Sequence, residues 1–149
     1  GVLHPPRGPR GRPPRARAAP GGGARAAPPR LYTEALAIRR RLLGDDHLNV
    51  AFLRADLANL MTERGELDTA AVLFSRVFGP LDRERPPGDA GRAHVESVYG
   101  NFLATRGEMA AARVCLEAGY DALLDIRGPD TLPVRDAKLR LEKLESMSP

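Results

Sequence analysis

The sequence predicts an all-α protein: an α-solenoid of antiparallel helix hairpins, with about six helices and a disordered N-terminal tail. Three observations predict it. Segments of the chain recur at an offset of 42 residues. Each recurrence carries two apolar stripes at helical spacing. A glycine separates the two stripes each time.

The repeat is clearest around that glycine. "TERGELDTAAVLF" from Thr62 aligns with "ATRGEMAAARVCL" from Ala104, so that Arg64, Gly65 and Glu66 match Arg106, Gly107 and Glu108. Ala58, Asn59 and Leu60 match Gly100, Asn101 and Phe102 at the same offset. At twice the offset, "GDDHLNV" from Gly44 matches "GPDTLPV" from Gly128. One period before Leu73 and Phe74 stand Leu31 and Tyr32.

The spacing predicts each helix in turn. Residues 31–43 form a half repeat, a second helix without its first. In the repeat over 47–85, Val50, Leu53, Leu57, Leu60 and Met61 make the first stripe. Gly65 ends it, being free to adopt the left-handed conformation that closes a helix. Leu67, Ala70, Ala71, Phe74, Val77 and Phe78 make the second stripe. The repeat over 89–127 follows suit, with Val95, Val98, Tyr99, Phe102 and Leu103, then Gly107, then Met109, Ala112, Cys115, Leu116 and Leu123. Residues 132–147 form a final first helix, with Leu132, Ala137, Leu141 and Leu144 on its stripe. Together these make a helical repeat domain over 31–147. Ala58, Gly100, Ala70 and Ala112 are small enough for paired helices to approach closely. Phe74 and Leu116 fill the space between units. A helix pair cannot bury both faces alone, so stacking supplies the core.

Gly79 and Pro80 interrupt the second helix of the first full repeat, where Asp121 and Ala122 continue it in the next. Proline costs about 3 kcal/mol in a helix interior, so this helix is expected to end or kink near Phe78. In the connector "GDDHLNV", Gly44 is expected to end one helix, Asp45 or Asp46 to cap the next, and His47 to sit in its first turn.

The stretches "YTEALAIRRRLLGDDHLNVA" and "LANLMTERGELDTAAVLF" resemble the tetratricopeptide repeat, in the 42-residue form of kinesin light chains and many bacterial signalling proteins. Gly44, Asp45, Asp46, His47, Val50 and Ala51 match that family's inter-unit pattern, while Leu48 stands where proline is usual. The resemblance covers about residues 31–147. It implies a scaffold that binds a protein or peptide partner on the concave face, lined by the first helix of each unit. That face would comprise Phe52, Ala55, Asn59 and Thr62, then His94, Ser97 and Asn101, then Leu139, Arg140 and Lys143. Asn59 and Asn101 lie one period apart. An amide can bond both groups of a peptide backbone, which suits an extended partner. The paired-cation clamp of some family members is not met, because Asp56 and Glu63 lie beside Arg140 and Lys143 in this frame.

Catalysis is not expected, and neither is a cofactor or a metal. Asp45, Asp46 and His47 are too few to ligate a metal, and the matching connector at Gly128 has no histidine. Cys115 replaces Leu73 on an apolar stripe and is expected to be a buried structural thiol. Gly21, Gly22 and Gly23 lack the preceding strand and following lysine of a phosphate loop.

Charge divides the chain. Residues 1–30 carry seven Arg and no acid; residues 31–149 carry 16 basic and 19 acidic side chains. Gly, Pro, Arg and Ala supply 27 of the first 30 residues, a composition that cannot bury enough apolar area to order itself. Such a composition also arises when a GC-rich coding strand is read out of frame. Clustered arginine attracts nucleic acid, but no aromatic is interleaved for base stacking, so nucleic-acid binding is the lesser reading. No stretch approaches 18 consecutive apolar residues, so no membrane insertion is expected and the expected location is cytoplasmic. A further expectation is that this is the C-terminal repeat segment of a larger signalling protein, a serine/threonine kinase or a transcriptional regulator. The end helices should expose apolar faces and favour self-association.

Overall fold

A computed structural model describes residues 28–147. Among them the protein is all-α, with no strand. The helices are α1 (Pro29–Leu43), α2 (Leu48–Glu63), α3 (Leu67–Phe74), α4 (Phe78–Glu84), α5 (Ala90–Thr105), α6 (Met109–Arg127) and α7 (Leu132–Met147). Most of the expected tail, residues 1–30, lies outside the described residues. Its last two residues belong to α1 instead: Pro29 takes the first helical position, where a missing N–H is no loss.

There are seven described helices rather than six because the second helix of the first full repeat is divided. The break falls at Ser75–Val77, one turn before the expected end near Phe78. The cause is still Pro80. In a continuous helix its ring would meet the carbonyl of Arg76, and its nitrogen could not donate. Instead the chain loosens, with the N–H of Arg76 bonded to Leu73 and that of Val77 to Phe74. A new helix then starts at Phe78, placing Pro80 third, where no intrahelical donor is needed. Val77 and Leu81 are fully buried.

The connector also departs from expectation. The cap of α2 is His47, whose Nδ1 accepts the N–H of Asn49 at 3.1 Å. Asp45 is drawn away by two arginines: Arg40 donates to its carboxylate, and Arg54 reaches it at 3.1 Å. Arg54 also donates to the Asp45 carbonyl at 2.7 Å. Its guanidinium is buried, so the carboxylate facing it offsets a desolvation that would otherwise stand alone.

The 42-residue period is written into the backbone at the helix ends. Glu66 N–H bonds the Met61 carbonyl, and Glu108 N–H bonds that of Leu103. Gly65 and Gly107 both take positive φ, 79° and 89°, in these closures. Arg64 with Glu66 and Arg106 with Glu108 form the same ion pair, at 3.6 and 3.4 Å.

Neighbours in sequence pack together: α1 on α2, α2 on α3, α5 on α6 and α6 on α7. The first helices also touch one another in order, α2 on α5 and α5 on α7. A main core runs from Leu36 through Val50, Leu57 and Phe74 to Phe102, Leu116 and Leu144. A smaller cluster joins Ala93, Leu123, Val134 and Ala137 where α5, α6 and α7 meet. Close approach of α5 and α6 depends on missing side chains. A Cβ on Gly100 would lie 2.7 Å from Leu116 Cγ, and one on Gly119 would lie 2.7 Å from the Ala93 carbonyl oxygen.

Candidate functional site

Because α2, α5 and α7 pack side by side, they bring one face of three first helices together. Phe52 begins that face on α2, with its ring end close over Gly91 at the start of α5. Ala55 is fully buried. Asn59 is partly buried, and its Oδ1 is shielded from solvent with no hydrogen-bond partner among the described residues. Thr62 is buried and turns back to donate to the Ala58 carbonyl at 2.8 Å.

On α5, His94 Nε2 lies 3.2 Å from Asp56 Oδ1 of α2. Both side chains are 45% exposed, so the pair bridges the helices at the surface. Ser97 is buried and accepts from Arg140 Nη1 of α7 at 3.0 Å. Asn101 is also buried. Lys143 and Leu139 are exposed.

The expected groove set therefore divides. Ala55, Thr62, Ser97 and Asn101 are buried and offer little surface on that face. The reason is the direct packing of α2 on α5 and α5 on α7, which seals the small and short side chains between the helices. Phe52, Asn59, His94, Arg140 and Lys143 remain at least partly accessible. Asp56 joins them through His94, which needed the tertiary contact of residues 38 apart in sequence to appear.

Among the described residues, Arg54, Arg92 and Arg140 are drawn out of solvent, and they differ in what faces them. Arg54 has Asp45. Arg92 donates to Asp82 at 2.7 Å and Glu96 at 3.0 Å, and the hydrogen bond to Asp82 above all raises its pKa. Arg140 has no carboxylate within 4.0 Å among the described residues, only the Ser97 hydroxyl. Burial lowers its pKa, and the fields of Asp136 and Glu63 oppose that shift only in part. Its remaining donors are unassigned.

Cys115 is half-buried beside Tyr99. Burial raises its pKa, with Glu96 adding to the shift, so it is held as a thiol. Among the described residues, no three His, Cys, Asp or Glu side chains gather into a group able to hold a metal ion. No described helix is long and apolar enough to cross a membrane. No protein-family model and no curated protein matches the chain.

Proposed function

We propose that this chain is a non-catalytic scaffold, a solenoid of tetratricopeptide-like hairpins that holds a protein or peptide segment against α2, α5 and α7. The observation that carries this reading is Arg140, a desolvated guanidinium with donors to spare and no carboxylate of its own within 4.0 Å among the described residues. The Asn59 Oδ1, buried with no partner among the described residues, supports it. Unmet polar groups on one face are costly in isolation and are satisfied by a bound backbone or side chain. The His94–Asp56 pair supplies a further polar edge. Phe52 and Leu139 supply apolar contact. No cofactor enters, and the reading places the scaffold in the cytoplasm.

The test is capture of a partner by the full chain, followed by rebinding of the purified partner to an Asn59→Ala/Arg140→Ala variant. The reading expects at least a tenfold loss of affinity with helical content unchanged. Equal affinity would move the binding surface elsewhere.

A further inference from the structure

Among the described residues, no element covers the outer stripe of α1. Leu31 and Ile38 are 46% and 53% exposed, and Ala35 lies between them one turn from each. With Tyr32 and Leu53, Leu31 and Ala35 border an apolar depression of about 280 Å³. The 42-residue period identifies what this stripe is. Residues of α1 correspond, 84 positions on, to residues of α6: Leu31 to Cys115, Tyr32 to Leu116, Ala35 to Gly119, Ile38 to Ala122 and Arg39 to Leu123. In α6 that face is covered by α5, with Gly100 against Leu116 and Gly119 against the Ala93 carbonyl. The α1 stripe thus corresponds to a helix-docking face, and no described element occupies it.

Two occupants from this chain are poor fits. The counterpart of α5 one unit upstream of α1 is residues 6–21, which carry five prolines, five arginines and no acid. That composition offers neither an apolar helical stripe nor charges that suit the arginines of α1. The other is α7 of a second copy, a first helix with no second helix after it among the described residues. Its counterparts put Glu142 where Gly100 stands and Arg135 where Ala93 stands. A Cβ alone at Gly100 would already collide with Leu116. Ala93 shares a buried cluster with Leu123, whose counterpart is Arg39. Docking α7 there would therefore press Glu142 on Tyr32 and set Arg135 against Arg39.

We infer that α1 docks one amphipathic helix of a different protein, with an apolar stripe, a small residue opposite Tyr32 and carboxylates beside it. The charge follows from the same correspondence. Arg39 replaces the buried Leu123, and Arg41 flanks the stripe on the other side. Neither has a carboxylate within 4.0 Å among the described residues, whereas Arg40, on the far face, has Asp45. A docked helix that desolvates Arg39 must bring an acid to it.

The experiment titrates the full 149-residue chain with labelled synthetic peptides of the α5 sequence, residues 90–105. One peptide carries Ala93→Glu and the other Ala93→Lys, so the changed residue faces Arg39. Fluorescence anisotropy reads binding, and sedimentation equilibrium reads the state of the free chain. The Glu peptide is expected to bind saturably and at least tenfold more tightly than the Lys peptide. An Arg39→Glu chain should reverse that preference. An Ile38→Asp chain, with an unchanged circular dichroism spectrum, should weaken both at least tenfold. The proposal is overturned if the two peptides bind alike or neither saturates. It is overturned equally if the free chain self-associates and Ile38→Asp makes it monomeric, because the occupant is then a second copy.

Discussion

Arg54 is the side chain on which the α1–α2 corner most depends. It is buried, and it holds both the carbonyl and the carboxylate of Asp45. Arg54→Ala leaves the Asp45 carbonyl without its donor and the carboxylate with Arg40 only, and should cost about 1–3 kcal/mol in urea unfolding. Asp45 itself predicts a pH dependence. Its pKa is lowered, first by the hydrogen bond from Arg40 and then by the fields of Arg40 and Arg54, against some desolvation. A carboxylate with a depressed folded pKa stabilises the fold above its unfolded pKa and loses that contribution as pH falls through the folded value. The difference in Tm between the native chain and Asp45→Asn should be full at neutral pH and shrink below about pH 4. A gap that persists at pH 2 would show that the carboxylate charge is not its source. The two glycines between α5 and α6 should also rank in order. Gly119→Ala meets a backbone carbonyl, which cannot step aside, and should cost about 1–3 kcal/mol. Gly100→Ala meets first the branch of the Leu116 side chain, which can turn aside further than a carbonyl can, although the Leu116 backbone nitrogen lies at 3.1 Å, so denaturant midpoints should place it between Gly119→Ala and the native chain.

Among the elements, α3 and α4 differ most from their counterpart. Where α6 runs unbroken through 19 residues, the first full repeat uses two short helices of 8 and 7. The difference traces to Gly79 and Pro80. Gly79→Ala/Pro80→Ala should therefore raise far-UV helicity and slow amide exchange at Arg76 and Val77. Unchanged exchange there would mean that burial of Val77 and Leu81, not proline, sets the break. An aromatic cluster spans the break. Phe74, Phe78, Tyr99 and Phe102 meet with ring centroids 4.9–5.9 Å apart, and Arg106 lies over Phe102 at 5.2 Å.

Across the whole molecule, stability should be uneven. α5 is packed by α2, α6 and α7, while α1 packs on α2 and buries only Leu36 below a tenth of its surface. Amides of α1 are expected to exchange fastest among the helices and those of α5 slowest, because local opening follows the buried area lost. Since Ile38 and Leu42 are 53% and 76% exposed, Ile38→Glu/Leu42→Glu should change unfolding free energy by less than about 0.5 kcal/mol. A large loss would mean that a second copy covers that face.

Helical periodicity and the two closing glycines made the helices after residue 31 readable without a structure, because both signals are local. Gly65 and Gly107 announce left-handed turns wherever the chain goes next. The likelihood of a break near Pro80 was equally local, although its position was not. The loosened turn lies upstream, at Ser75–Val77, where Val77 is fully buried and the following α4 packs on α2. The cap of α2 escaped prediction for a similar reason: Arg40 and Arg54 compete for Asp45, so His47 takes the cap. The groove set was read from register alone, and register cannot tell a residue facing a neighbour from one facing solvent. Sequence by itself determined which segments are helical and that they recur every 42 residues. Only the tertiary structure decided that Ser97 and Thr62 are sealed, that His94 meets Asp56, and that Arg140 alone of three withdrawn arginines faces no carboxylate within 4.0 Å among the described residues. Those facts depend on distances between helices, which no local pattern encodes.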